Sequence, residues 1–177
     1  MTAMTDTDFI EMRLSKVVAI ALDDDDAADP SYFVVLDGVS ADVRLPIMIG
    51  ATEALHLSGT LGGTQFGRPM SPQFAAGLLQ ALGGRLRQVR IDRLVDVRGG
   101  TAFGATAEVE GPAGPQLVDA RPSDALNLAA LCPAPVLVAA GVLAGAQAAL
   151  DGSEAAAARL RLVLEAEPMI IRPPAGR

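Results

Sequence analysis

The segment VDARPSDALNLAALCPAPVLV, residues 118–138, places four polar side chains within six positions of an otherwise apolar stretch. These side chains belong to Asp119, Arg121, Ser123 and Asp124. Pro122 suits the first turn of a helix, where unpaired backbone N–H groups and the positive end of the helix dipole favour oxygen-bearing side chains. A helix N-terminus flanked by an arginine can also bind an anion, and phosphate is the usual one.

The residue types alone leave two interpretations of this segment open. In the structural interpretation, Asp124 caps the helix, and Arg121 pairs with Asp119 or Asp124. In the functional interpretation, the arginine grips a phosphate while the carboxylates beside it hold a divalent cation, as phosphodiester cleavage often requires.

Few other residues of this chain could do chemistry. Glu53 and His56 lie three positions apart in a predicted helix and therefore share a face, which suits a metal or proton-transfer pair as well as two surface neighbours. His56 is the only histidine and Cys132 the only cysteine. These counts exclude a multi-histidine metal centre, a cysteine-based zinc site and an internal disulfide, and they fit a reducing cytoplasm.

The net charge of −7 is unevenly distributed. Residues 1–43 carry ten acids and two basic residues, whereas residues 44–177 carry eleven acids and twelve arginines. The basic concentration at 85–98 could contact phosphates or form a solvated strand face; it comprises Arg85, Arg87, Arg90, Arg93 and Arg98. No large basic face of the kind that binds nucleic acid tightly is expected.

The longest uncharged span, 125–150, raises the question of a membrane segment. Pro133 and Pro135 interrupt it, and acidic rather than basic residues flank it, so we expect a helix, a turn and a buried strand instead. Residues 1–12 carry three acids and no base, unlike the start of a signal peptide. We therefore expect a cytoplasmic protein with no membrane partner.

Hydrophobic periodicity predicts the elements that must position the polar groups. Strands are predicted at 12–22, 32–38, 41–50, 85–97, 101–111 and 115–120, and a strand with a short continuation at 134–143. Helices are predicted at 51–63, 122–131 and 153–167, and another within 67–84, which Ser71 begins and Gly83-Gly84 ends. Thr52 and Ser71 are the expected caps of the first two helices. Phe74, Leu78, Leu79 and Leu82 fall at helical spacing and predict the packed stripe of the second.

Strand runs and helix runs without strict alternation predict an α+β fold, a single compact domain in which helices pack on a mixed or antiparallel sheet, plus a C-terminal helix. We expect a flexible N-terminus at 1–11, the α+β domain at 12–145, a C-terminal helical extension at 146–167 and a disordered tail at 168–177.

Three segments occur in an order and spacing that resemble the bifunctional nuclease domain family. They are VRLPIMIGATEAL at 43–55, GRPMSPQFAAGLLQALGGRLRQVRI at 67–91 and VDARPSDALNLAA at 118–130. The family pattern reads L-P-I-x-I-G-x-x-E-A, then R-P-x-T-H-D-L-L before a helix ending in L-G, then D-A-R-P-S-D-A. The resemblance covers roughly residues 10–145.

The resemblance implies a compact α+β domain that forms homodimers or higher oligomers and a nuclease acting on DNA or RNA. It implies that Glu53, Asp119 and Asp124 are catalytic and hold a divalent cation, magnesium or manganese, which activates water. It further implies that Arg68, Arg121 and Ser123 bind the substrate phosphate.

This chain departs from the family pattern in two places. Ser71-Pro72-Gln73 stands where the family has Thr-His-Asp, and Phe103-Gly104-Ala105 stands where it has Phe-Tyr-Ala. If the lost histidine and aspartate serve as general base and metal ligand, activity should be weak or absent. The alternative hypothesis is a catalytically inactive oligomeric scaffold that binds a protein partner or a small anion.

Overall fold

The computed structural model describes residues 9–21, 29–98 and 100–171. Within these ranges the strands are β1 (Phe9–Ile20), β2 (Ser31–Gly38), β3 (Arg44–Ile49), β4 (Arg85–Val97), β5 (Gly100–Gly111), β6 (Gly114–Ala120) and β7 (Val136–Ala139). The helices are α1 (Ala51–Leu61), α2 (Ser71–Ala81), α3 (Pro122–Leu131), α4 (Ala140–Asp151) and α5 (Glu154–Glu165).

All seven strands form one mixed sheet in the order β3-β2-β1-β7-β4-β5-β6. The short strand β7 lies in the middle, antiparallel to β1 and parallel to β4. Every other neighbouring pair is antiparallel. This architecture confirms the predicted α+β class, a single domain with helices on the sheet and a C-terminal helix.

Alternation along β4 separates the two faces of the sheet, as the sequence predicted. Val89 and Ile91 are fully buried, whereas Gln88 and Arg90 lie on the other face and pair with Glu108. The helices α1 and α3 pack on the buried side, α1 against β1 and β2, and α3 against β4 and β5. The main core between them is aliphatic.

A second, smaller core lies on the opposite face, under α5. Val163 of α5 covers Val18, Phe33 and Val35 of the first two strands. The Lys16 ammonium donates to the carbonyl oxygens of Leu164 (2.8 Å) and Ala166 (2.6 Å). Because the last carbonyls of a helix have no partner within the helix, this lysine both caps α5 and ties it to β1.

The predicted flexible and disordered ends differ from the structure where it describes them. Residues 168–171 are docked, since Met169 N donates to Val17 O at 2.7 Å and Thr64 Oγ1 donates to Ile171 O at 3.3 Å. Ser58 Oγ also donates to Met169 O. Residues 9–11, assigned to a flexible N-terminus, pair with β7. Residues 1–8 and 172–177 lie outside the described residues.

The uncharged span 125–150 divides into most of α3, β7 and the greater part of α4. The strand predicted within 134–143 is four residues long, and the short continuation predicted after it is the start of α4 at Ala140. The predicted extension at 146–167 is thus the end of α4 followed by α5. In the described ranges, none of the helices combines the length and the hydropathy that crossing a bilayer requires.

The helix starts differ slightly from the predicted caps. Gly50 and Met70 occupy the N-cap positions of α1 and α2, so Thr52 and Ser71 lie inside the helices. Only Leu79 of the predicted stripe of α2 packs against the core. Phe74, Leu78 and Leu82 are 66%, 49% and 68% exposed. This helix therefore presents an apolar stripe to solvent.

Candidate functional site

Arg121 occupies the N-cap position of α3, immediately after β6 ends. Its backbone is extended, with φ −71° and ψ 147°, and its carbonyl oxygen accepts the N–H groups of Asp124 and Ala125, both at 3.1 Å. Pro122 follows at the first helical position, where its missing N–H is no loss. The sequence thus turns the chain from strand to helix at the arginine.

The Arg121 guanidinium joins two carboxylates from different helices. Its Nε and Nη2 donate to Asp124 at 2.8 and 3.0 Å, and Nη2 also donates to Glu53 Oε1 at 2.8 Å. The hydrogen bond with Asp124, and then that with Glu53, raises the Arg121 pKa further above its ordinary value, so the group stays charged. We call Glu53, Arg121 and Asp124 the Arg121 cluster.

One nitrogen of Arg121 remains available for a ligand. Nη1 donates no hydrogen bond to any residue that the structure describes, and the side chain is 67% exposed. The cluster carries a formal charge of −1, because two carboxylates surround one guanidinium. An anion would therefore meet two free N–H groups of Nη1 against a mildly negative background.

A buried amide holds the two helices of the cluster in register. Asn127 is 1% exposed, and its Nδ2 donates to Glu53 O at 3.2 Å and to Ser123 O at 2.9 Å. The amide thereby links α1 to α3. Sequence reasoning missed this role, although an amide four residues after Ser123 in an apolar helix is its signal.

The absence of a side chain at Gly50 leaves room for the Glu53 carboxylate. A methyl group on Gly50 would overlap Glu53 Oε2, so the carboxylate lies folded back over the start of α1. A negative charge there is favoured by the helix dipole. The glycine and the dipole together direct Glu53 towards Arg121.

Asp119 does not belong to the Arg121 cluster. It lies on β6 opposite Thr106, and its carboxylate contacts Nη2 of Arg93. Arg93 also donates to Asp92 Oδ1 at 2.6 Å and to Thr106 Oγ1 at 3.2 Å. The structure therefore divides the three predicted catalytic acids between two arginines.

This division bears on the expected cation. In the part of the chain that the structure describes, no three His, Cys, Asp or Glu side chains come close enough to hold a metal ion. Glu53 and Asp124 direct three of their four oxygens at Arg121. The residues present therefore do not fit a divalent cation held jointly by Glu53, Asp119 and Asp124.

The departure at Gly104 has a structural counterpart. The Arg93 side chain lies directly over Gly104, where a Cβ atom would overlap its guanidinium stem. The space that a tyrosine side chain would need at this position is thus taken by the arginine that holds Asp119.

Three further residues that the sequence singled out, Arg68, Ser123 and His56, do not belong to the Arg121 cluster. Arg68 is exposed in the connection between α1 and α2, and among the described residues it has no acidic partner within 4 Å. Ser123 is buried in the first turn of α3. His56 is buried edge-on against Phe66, so it forms no pair with Glu53.

The arginines of β4 form a ladder of cross-strand ion pairs. Arg85 Nε donates to Glu110 at 2.8 Å, and this hydrogen bond lowers the Glu110 pKa. Arg87 and Arg90 lie within 3.8 Å of Glu108. Since neighbouring carboxylates offset these charges, the solvated strand face is the interpretation that the structure favours.

Two clefts meet the Arg121 cluster. The larger, about 710 Å³, is called the apolar cleft; it is lined by Phe33, Pro46, Ile47, Met48, Ile49, Gly50, Val97, Thr101, Ala102, Phe103, Arg121, Pro122 and Ser123. The smaller, about 300 Å³, is called the Asp124 cleft; it is lined by Ser71, Pro72, Ala75, Ala107, Val118, Ala120, Asp124, Ala125 and Leu128.

Comparison with known proteins places this site in a family. Residues 34–151 match the bifunctional nuclease domain, which is more than half of the chain. This chain belongs to the bifunctional nuclease domain family. The whole Arg121 cluster lies inside the matched region, whereas β1 and α5 lie outside it.

Two curated proteins from Mycobacterium tuberculosis are similar in sequence to this chain. They are the uncharacterized protein MT1877 of strain CDC 1551 / Oshkosh and the uncharacterized protein Rv1829 of strain ATCC 25618 / H37Rv. Each is 34% identical over 113 residues, which cover 64% of this chain and 65% of the relative. The match thus spans just under two thirds of the relatives' length.

In this bifunctional nuclease domain, the departure at 71–73 falls on the Asp124 cleft. Ser71 and Pro72 line the cleft, and Asp124 is the one titratable group among its described lining residues. Gln73 instead faces a separate groove between α2 and the end of α3. A proline therefore occupies the position at which the family pattern would bring a histidine close to Asp124.

Proposed function

We propose that this domain binds the phosphodiester backbone of DNA or RNA at Arg121 and hydrolyses it there. The observation that carries the proposal is the Arg121 guanidinium at the start of α3, which two carboxylates hold, which lines the apolar cleft and whose side chain is 67% exposed. Arginine N–H groups match phosphate oxygens in geometry and charge, and a helix N-terminus adds a favourable dipole.

Each member of the cluster has a separate task in this proposal. Arg121 Nη1 donates to a non-bridging phosphate oxygen and stabilises the negative charge that grows there during attack. Asp124 takes a proton from water as the new O–P bond forms, and the departing sugar oxygen takes a proton from solvent as its bond to phosphorus breaks. Glu53 does not touch the substrate; it positions Arg121.

This mechanism contains no step through a divalent cation, because Asp119 lies with Arg93 and the other two acids hold Arg121. The magnesium or manganese site that the family resemblance implied therefore enters as a variable of the assay. Cleavage is to be measured with magnesium, with manganese and with a chelator.

A second candidate is the catalytically inactive oligomeric scaffold, which binds a protein partner or a small anion. Pro72 favours it, since Asp124 is the one titratable side chain among the described residues that line the Asp124 cleft. The net charge of −1 on the cluster favours it as well, because a phosphodiester is repelled by uncompensated carboxylates.

Single- and double-stranded DNA and RNA provide the test, with wild type, Asp124→Asn and Arg121→Gln. Loss of a general base typically costs a factor of about 10²–10⁴, so Asp124→Asn should lower the cleavage rate at least a hundredfold. Asp151→Asn, an exposed change near the end of α4, is the matched control and should retain the wild-type rate.

The outcomes separate the two candidates. Background cleavage that is equal in wild type and Asp124→Asn would contradict hydrolysis and favour the scaffold. The double change Pro72→His with Gln73→Asp then shows whether the family residues supply the missing chemistry. A rate that rises only in this double variant would assign the inactivity of the wild type to residues 72 and 73.

A further inference from the structure

The apolar cleft has a chemistry of its own, distinct from that of the Arg121 cluster. One wall is the edge strand β3 from Pro46 to Ile49, and the other is the end of the β4–β5 hairpin with Phe103. Arg121 and Ser123 line it as well. An apolar chamber with a guanidinium at its border suits a ligand that joins a flat or apolar body to an anionic group.

The walls favour stacking over hydrogen-bond recognition. Phe103 offers an aromatic ring, and Met48 offers a polarisable thioether that adapts to the shape of what it covers. Thr101, Ser123 and Arg121 are the polar side chains among the described lining residues, and none of the lining residues is acidic. The Glu53 carboxylate, which lies against the lining residue Gly50, is itself paired with Arg121.

We infer that the apolar cleft is a subsite for an unpaired base of single-stranded nucleic acid, adjacent to the phosphate held by Arg121. This inference rests on the proposed function. The apolar cleft has a volume of about 710 Å³, which lies within the range of about 300–1,000 Å³ that is typical of small-ligand sites. Stacking on an aromatic ring tolerates all bases, because each has a π face.

The subsite makes single strands the preferred substrate. A base inside a duplex is paired and stacked, and it enters such a cleft only after it has been flipped out of the helix. An unpaired base enters without that cost. The apolar cleft and Arg121 together thus bind one nucleotide: the cleft stacks on the flat face of the base, and Arg121 binds the charged phosphate.

Three fluorescent oligonucleotides of equal chain length and phosphate number test the inference by anisotropy: a single strand with bases, an abasic single strand and a self-complementary hairpin whose bases are paired. We expect the base-bearing single strand to bind at least fivefold more tightly than the other two. Phe103→Leu keeps the apolar packing but removes the ring, and should weaken binding of that strand about fivefold or more while leaving the abasic strand unchanged.

A second pair of variants keeps the test independent of Phe103 and its packing. Met48 borders the cleft and Leu117 lies on β6, and both side chains are 64% exposed. Met48→Asp should weaken binding of the base-bearing strand at least fivefold, whereas Leu117→Asp should leave it unchanged. Equal effects of the two changes would overturn the subsite.

The controls distinguish this inference from the proposed function. Equal affinity for base-bearing and abasic strands, with both weakened by Arg121→Gln, would overturn the base subsite and leave phosphate binding at Arg121 intact. Absence of binding to all three probes would overturn the phosphate site and the base subsite together.

Discussion

At the scale of single residues, Asn127 sets the spacing between the two helices that supply the Arg121 cluster. The ion pairs of Arg121 are largely exposed, and such pairs contribute about 0–1 kcal/mol each. The buried amide instead donates one hydrogen bond to a backbone carbonyl of α1 and another to a backbone carbonyl of α3. Each such hydrogen bond contributes about 0.5–1.5 kcal/mol, so the two together outweigh a surface ion pair.

Asn127→Ala should therefore lower the free energy of unfolding by about 1–3 kcal/mol, as measured by urea denaturation. Gln147→Ala is the control, because this amide is exposed on α4 and binds only Asp151 in the described part of the chain. The control should change the stability by less than about 0.5 kcal/mol. Similar losses in both variants would contradict the role assigned to Asn127.

Residue types predicted the chemistry of the site better than its pairings. Arg121 and Glu53 are 68 residues apart, and it was the family resemblance that grouped them before the fold brought them into contact. Asp119 was grouped with them as well, yet it lies on β6 beside Arg93, 26 residues away along the chain. The pairing of Asp119 with Arg93 depends on the register between the strands of the sheet. That register cannot be predicted from one sequence alone.

At the scale of elements, α5 is attached to the sheet by polar contacts as well as by its apolar face. Val163 covers the smaller core, while the Lys16 ammonium binds two carbonyls at the end of the helix. Hydrogen bonds to a charged group contribute about 1.5–3 kcal/mol. The lysine therefore carries a substantial share of the docking of this helix.

Lys16→Met should lower the free energy of unfolding by about 1–3 kcal/mol and speed hydrogen exchange in α5. Arg13→Met is the matched control on the same strand, since Arg13 is exposed and reaches Asp37 only at 3.4 Å. Exchange in α5 that is unchanged in Lys16→Met would show that the apolar contacts alone hold the helix.

The sequence predicted every strand that the structure describes and four of the five described helices, and it missed α4. The alternation of apolar and polar residues predicted β4 and its buried face, because one face of the sheet is exposed to solvent and the other packs against the core. The residues after Pro135 are almost all small or apolar, so their pattern does not distinguish a strand from a helix. For this reason the start of α4 was not predicted as a helix. The apolar stripe of α2 has helical spacing, but the spacing does not show whether the stripe packs on the core of its own chain or lies exposed.

At the scale of the whole molecule, the exposed stripe of α2 is the surface that we propose for the homo-oligomer implied by the family resemblance. Phe74, Leu78 and Leu82 lie on one side of the helix with Gly77, where a Cβ would meet no atom of this chain within 4 Å. Two copies of α2 could thus approach closely about a two-fold axis.

Phe74→Asp combined with Leu78→Asp should convert an oligomer into monomers, because each change places a charge in the apolar contact. Light scattering after gel filtration measures the mass. Leu162→Asp, an equally drastic change at an exposed position on α5, should leave the mass of the wild type unaltered. A monomeric wild type would contradict the dimer at this helix.

The position of α5 on the sheet has a consequence for biosynthesis. Val18, Phe33 and Val35 are made early by the ribosome, but Val163, which shields them, emerges more than a hundred residues later. During translation this apolar surface stays open to solvent and to other nascent chains. A chaperone that holds such surfaces should associate with ribosome-bound intermediates ending before α5, and release them once that helix has been completed.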